Sequence, residues 1–207
     1  MKARSLPTLR IIVLAAGFST RLGRPKALAR VHGVTLLRKT LGLLAPFATS
    51  SKIIVVIPPA AGRYKIGWYA HWVTFVANSQ RASGLSSSVR LGMHRARQSA
   101  GVLLLPVDLV DLARRDIARL IARWLGARRR VVARRVQDEP GGPLILPRWL
   151  YARAGDLRGD QGLREMVRRL PKDSVSLVVL PSAELDVDTP RDLERARRRV
   201  RSARSRL

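Results

Sequence analysis

Leu9-Arg10-Ile11-Ile12-Val13-Leu14-Ala15-Ala16-Gly17-Phe18-Ser19-Thr20-Arg21-Leu22-Gly23-Arg24-Pro25-Lys26 runs from an apolar stretch of strand length straight into a basic, glycine-bearing loop. Gly17 and Gly23 carry no side chain, so backbone N–H groups around them can approach phosphate oxygens closely. Arg21 adds a forked donor suited to bridging such oxygens. Lys26, stiffened by Pro25, adds a point charge able to track negative charge on a phosphate. The spacing fits neither the G-x-G-x-x-G nor the Walker pattern. Taken alone, the loop reads as an anion cradle after a strand, with a tight structural turn as the alternative.

Working outward, apolar runs recur at Leu9–Leu14, Ile53–Ile57, Val73–Val76, Val102–Leu105, Val131–Ala133 and Val175–Leu180. Helical patterns lie between several of them, at Thr35–Leu44, Ser86–Ser99, Ala113–Leu125, Gly162–Arg169 and Pro190–Arg201. Alternation of this kind predicts an α/β fold, a Rossmann-like domain whose central sheet is mostly parallel. Unbroken Val/Ile/Leu strands predict helices on both faces of that sheet. Residues 1–207 form a single expected domain. Pro140-Gly141-Gly142-Pro143 reads as an inter-strand turn, Thr189 as an N-cap before Pro190, and the Arg-rich stretch 195–207 as a fraying tail.

Composition narrows the chemistry. The 207 residues contain no Cys and three scattered His, which removes disulfides, thiolate zinc and a cysteine nucleophile, and leaves oxygen as the donor for any metal. No apolar stretch approaches membrane-spanning length, so the expected location is the cytoplasm, with no membrane partner. Forty Lys and Arg against fourteen Asp and Glu give +26, a charge that invites a nucleic-acid reading. Aromatics at 5% and basic residues spread along the whole chain argue against it, because single-strand binders interleave basic and stacking residues.

The opening string resembles the L-A-A-G-x-S-x-R-x-G-x-P-K pattern of the MobA-like NTP transferases, particularly the molybdenum cofactor cytidylyltransferases. Further blocks follow in order: Asn78 with Gly84-Leu85-Ser86-Ser87-Ser88, then Asp108 after its strand, Gly142-Pro143-Leu144-Ile145-Leu146-Pro147, Gly159-Asp160-Gln161-Gly162-Leu163-Arg164, and Asp186-Val187-Asp188-Thr189-Pro190-Arg191-Asp192-Leu193. Two places depart from the family pattern. Asp108-Leu109-Val110 stands where the family reads D-x-P, and Gly141-Gly142-Pro143 where it often has G-H-P.

The resemblance implies transfer of a nucleoside monophosphate to an acceptor phosphate with release of pyrophosphate. It implies CTP as donor, since Ala15-Ala16-Gly17 and Pro25-Lys26 look like the cytidylyl branch, and molybdopterin cofactor as acceptor. A molybdoenzyme would then receive the product. GTP as donor, a sugar or polyol phosphate as acceptor, a non-catalytic nucleotide- or cofactor-binding module and a basic nucleic-acid-binding protein are the alternatives. Leu14, Ala15, Ala16, Gly17, Ser19, Arg21, Gly23, Lys26, Asn78, Gly84 and Ser87 become nucleotide-contact candidates, and Lys26, Arg21 and Asp108 the catalytic ones. An acidic residue just past a central strand lies where open α/β sheets bind ligands, so Asp108 is the first candidate for Mg²⁺. One carboxylate holds Mg²⁺ poorly, and Asp188, with Asp186 as substitute, is the expected second ligand. One of that pair capping the helix at Pro190 is the competing structural reading, and Ser86 is a candidate N-cap for its own helix.

Overall fold

The computed structural model describes residues 8–48, 52–59, 62–64, 71–159 and 163–204. In chain order the strands are β1 (Leu9–Leu14), β2 (Arg30–Val31), β3 (Val34–Thr35), β4 (Ile53–Ile57), β5 (Val73–Ala77), β6 (Gly101–Pro106), β7 (Val131–Val136), β8 (Glu139–Pro147) and β9 (Val175–Val178). The helices are α1 (Leu36–Leu44), α2 (Leu85–Arg95), α3 (Arg114–Gly126), α4 (Tyr151–Gly155), α5 (Leu163–Arg168) and α6 (Pro190–Arg204). Seven strands make one sheet in the order β5-β4-β1-β6-β8-β7-β9, and β2 with β3 make a small hairpin. Within the large sheet β8 alone runs against the others.

The alternating side chains of β1, β4 and β6 explain why these strands read as unbroken apolar runs. Ile11, Val13, Ile53, Val55, Leu103 and Leu105 point to one face, where α1 and α3 bury Leu37, Leu41, Ile117, Leu120 and Trp124. Ile12, Ile54, Val56, Val102 and Leu104 point to the other, against Val89 and Met93 of α2, Ala154 of α4 and Val167 of α5. Truncating a fully buried residue such as Leu103 to Ala costs about 2–5 kcal/mol. A third, smaller cluster joins Leu22, Val31 and Leu36 to Val110, Val187, Leu193 and Ala196, and seats α6 beside the hairpin.

The expected α/β fold with a mostly parallel sheet and helices on both faces is the one observed. The largest departure is β8, because Pro140-Gly141-Gly142-Pro143 is strand and not an inter-strand turn. The turn lies just before it, at Gln137 and Asp138, both with positive φ. Pro140 and Pro143 are tolerated because only Leu144–Pro147 of β8 pairs with β6, while the first half pairs with β7 across a register shift at Ala133/Arg134. Ser86 is not an N-cap, since Gly84 precedes α2 and Ser86 is its second residue. Much of the Arg-rich tail is helical: α6 runs to Arg204, Arg197 donates to the Arg30 carbonyl and Arg199 to Asp111, and residues 205–207 lie outside the described set. No described helix is long and apolar enough to cross a membrane.

Candidate active site

The sheet order places the site. Strands step outward from β1 to β4 and β5, and the chain then returns to lay β6 on the other side of β1. A crevice at the carboxyl ends of β1 and β6 follows from that reversal. There lies a cleft of about 440 Å³, with Leu14, Ala15, Ala16, Gly17, Ser19, Arg21 and Lys26 on the β1 side and Asp108, Gly142, Arg164 and Asp188 among the residues facing them.

The loop after β1 is braced from within. Ser19 has φ 56 and its Oγ accepts the Lys26 N–H at 3.1 Å, closing the loop on itself. Between them a single 3-10 turn, Thr20–Leu22, ends at Gly23, whose φ of 70 favours glycine. Gly23 does not line the cleft, so it shapes the loop, whereas Gly17 opens onto the cleft with nothing within 4 Å of where a Cβ would stand. The N–H groups of Gly17 and Phe18 meet no acceptor among the described residues and are available to an anion.

Lys26 is the centre of the charged cluster. Its Nζ donates to Asp108 Oδ2 at 2.8 Å and also to Asp188 Oδ1, while Arg21 Nη2 sits 2.9 Å from Asp188 Oδ2. Burial of the ammonium works against its charge, but the Asp108 and Asp188 carboxylates outweigh that cost and hold Lys26 above its ordinary pKa. Asp186 instead pairs with Arg134 at 3.5 Å, within electrostatic reach of Asp108 and Asp188. Partial burial, and the Asp108 charge after it, push the Asp186 carboxyl above its ordinary value. Among the described residues no group of three or more His, Cys, Asp or Glu side chains forms a metal cage. The candidate for a metal is therefore a pair.

The competing helix-cap reading of Asp186 and Asp188 fails, because another residue does that work. Thr189 Oγ1 accepts the Asp192 N–H at 3.2 Å, and Asp192 Oδ2 accepts from the N–H groups of Thr189 at 2.8 Å and Asp188 at 3.2 Å. This reciprocal box satisfies the first turn of α6 and leaves the Asp188 carboxylate for the cleft.

Asn78 meets Ser87 in the first turn of α2, and neither enters the cleft lining. Asn78 is buried, its Nδ2 donating to Ser87 Oγ at 2.9 Å and Ser88 Oγ at 3.0 Å, and Ser87 Oγ donates to the Gly84 carbonyl. These three fasten the start of α2, where Gly84 has φ 85, and they present Ser88, Leu85 and Val89 to the cleft instead. Arg164, quoted above as part of a motif without a role, stands exposed on the cleft wall from the first turn of α5. Asp160, Gln161 and Gly162 of the same motif lie outside the described residues.

With this geometry in view, residues 11–175 match the MobA-like NTP transferase domain. A probable molybdenum cofactor guanylyltransferase of Rhodopirellula baltica is 29% identical over 193 residues, 90% of each chain. A 2-C-methyl-D-erythritol 4-phosphate cytidylyltransferase of Vibrio vulnificus is 27% identical over 126 residues, 58% of this chain and 53% of that protein. The solved structure of Rv0371c from Mycobacterium tuberculosis H37Rv is 28% identical, with a TM-score of 0.74 over 92% of this chain and 98% of that one. The same protein has been solved in complex with manganese.

Proposed function

The chain belongs to the MobA-like NTP transferase family of nucleotidyltransferases, and from that premise we propose that it moves a nucleoside monophosphate from a triphosphate onto the phosphate of a small acceptor. The observation that carries the reading is the convergence of Lys26 and Arg21 on Asp108 and Asp188 beside an anion-ready loop at the sheet's carboxyl edge.

The triphosphate lies on the Gly17–Lys26 loop, held by free N–H groups, Arg21 and Lys26. An acceptor phosphate oxygen attacks the α-phosphorus; a new P–O bond forms as the bond to the β-phosphate's bridging oxygen breaks, and pyrophosphate leaves on the loop side. Lys26 and Arg21 neutralise the charge that gathers on the leaving group. In-line displacement brings the acceptor from the opposite wall, where Arg164 supplies a cation that forms no ion pair with a described residue.

Asp108 and Asp188 suit a divalent cation: two carboxylates from separate segments already converge on one positive group. Mg²⁺ bound there supplies further neutralisation of the phosphates. The pairing of Asp186 with Arg134 favours Asp188 over Asp186 as the second ligand.

CTP is the donor in this reading, supported by Ala15-Ala16-Gly17 and Pro25-Lys26, and molybdopterin cofactor the acceptor that the family resemblance suggests. GTP is the second donor reading, favoured by the name of the Rhodopirellula relative. Pyrophosphate release from CTP, GTP, ATP and UTP with molybdopterin cofactor or with sugar phosphates, using Asp108→Ala as control, tests both. Release with CTP alone supports the first reading, release with GTP alone replaces it, and equal release by wild type and the Asp108 variant removes Asp108 from the mechanism.

A further inference from the structure

Lys26 and Arg21 do more in this arrangement than wait for phosphate. Between them they occupy both oxygens of Asp188 and one oxygen of Asp108. Lys26 and Asp108 are mostly shielded, with side chains 17% and 20% exposed, so their attraction is weakly screened by solvent. Two negative and two positive charges leave the cluster neutral. A free dication approaching it gains no net attraction and has to expel an ammonium first.

We propose that Lys26 is a resident internal cation that closes the Asp108–Asp188 pair to free divalent metal, so that metal enters together with the nucleotide's phosphates and not before them. The proposal rests on the reading of that pair as metal ligands. A triphosphate on the loop offers Lys26 and Arg21 a richer set of oxygens than the carboxylates do. When they turn to it, the two carboxylates are left without their cationic partners at the moment phosphate oxygens arrive to share a metal with them. Two protein carboxylates leave most positions of a hexacoordinate cation open, and with no larger acidic or His cluster among the described residues, phosphate oxygens are the strong ligands that would join them. Lys26 is built for this exchange. Its backbone N–H is fixed to Ser19 Oγ, while its four-carbon stem carries a compact charge able to change partners without moving the loop.

Mn²⁺ is the probe, its free concentration read by electron paramagnetic resonance on nucleotide-free protein. Wild type is expected to bind Mn²⁺ weakly, Lys26→Met at least about tenfold more tightly, and Lys26→Met with Asp108→Asn weakly again. Adding the nucleotide that binds is expected to tighten Mn²⁺ on wild type by more than it does on Lys26→Met. Circular dichroism melts establish that each variant is folded. Equal nucleotide-free affinity in wild type and Lys26→Met, or tight binding that survives Asp108→Asn, overturns the proposal. The nucleotide-free arm involves no turnover, so absence of pyrophosphate release overturns the transferase reading without deciding this one.

Discussion

The backbone N–H of Val187 donates to the carbonyl oxygen of Asp108 at 3.0 Å. Together with the bond from the Val110 N–H to the Leu185 carbonyl at 3.3 Å and the Leu109–Asp186 bridge, it sews the segment after β6 to the segment before α6. The two carboxylates of the cleft are thereby fixed relative to each other through main chain. Asp108-Leu109-Val110 lacks the proline of the family pattern, and this pairing provides the rigidity in its place, with Val110 buried in the small cluster.

Restoring that proline is therefore expected to do harm. Val110→Pro removes the N–H that Leu185 accepts and should destabilise the fold by about 1–3 kcal/mol, read as a lower urea midpoint. Mn²⁺ affinity in the presence of nucleotide should fall with it. A variant as stable as wild type would show that the pairing does not hold this loop.

Gly141 and Gly142 are neighbours in the chain but differ in what they tolerate. A Cβ on Gly141 would stand 2.6 Å from Val136 Cγ2, whereas one on Gly142 would meet Pro106 Cδ at 3.5 Å, an ordinary contact. Gly141→Ala should cost about 1–3 kcal/mol in denaturant melts and Gly142→Ala close to nothing. Since Gly142 lines the cleft, its substitution should appear instead in the acceptor KM.

Arg164→Gln is expected to raise the acceptor KM at least about tenfold while leaving the donor KM within about twofold, since the proposed arrangement puts the donor's phosphates on the opposite wall. Arg164→Lys should recover part of the loss. A donor KM that rises in step with the acceptor's would place Arg164 on the triphosphate.

The α6 box gives a pH signature. Hydrogen bonds from Thr189 hold the Asp192 carboxyl below its ordinary value of 3.8, so its contribution to stability is present above that pH and is lost as pH falls through the lower folded value. Thr189→Ala should cost about 1 kcal/mol at neutral pH. Asp192→Asn should lower the melting temperature at pH 7, with the gap to wild type closing below about pH 4. A gap that persists in acid would assign the effect to packing.

Leu9–Leu14, Ile53–Ile57 and the glycine-bearing loop after β1 were legible in the chain because each depends on neighbours in sequence: unbroken apolar runs need two covered faces, and Gly17 through Lys26 is one short segment. The same locality made β8 misleading, since prolines and glycines that usually mark a turn here sit on the half of the strand that does not pair with β6. Asn78 and Ser87 were visible as a motif, yet only packing shows that they bond to each other at the start of α2 and leave the cleft to Ser88 and Arg164.

Sequence alone determined the α/β class, the loop after β1 and the acidic candidates, for these are statements about periodicity and residue chemistry. Tertiary structure decided how they act together. The Thr189 cap of α6 was legible from its position before Pro190, and its bonds with Asp192 bear it out, but Asp108 and Asp188 lie 82 and 162 residues from Lys26 and nothing in local spacing selects Asp188 over Asp186. That choice is made where the crossover to β6 brings Asp108 beside the β1 loop and main-chain pairing lays the Asp188 segment against it, so that a single ammonium reaches two carboxylates at once.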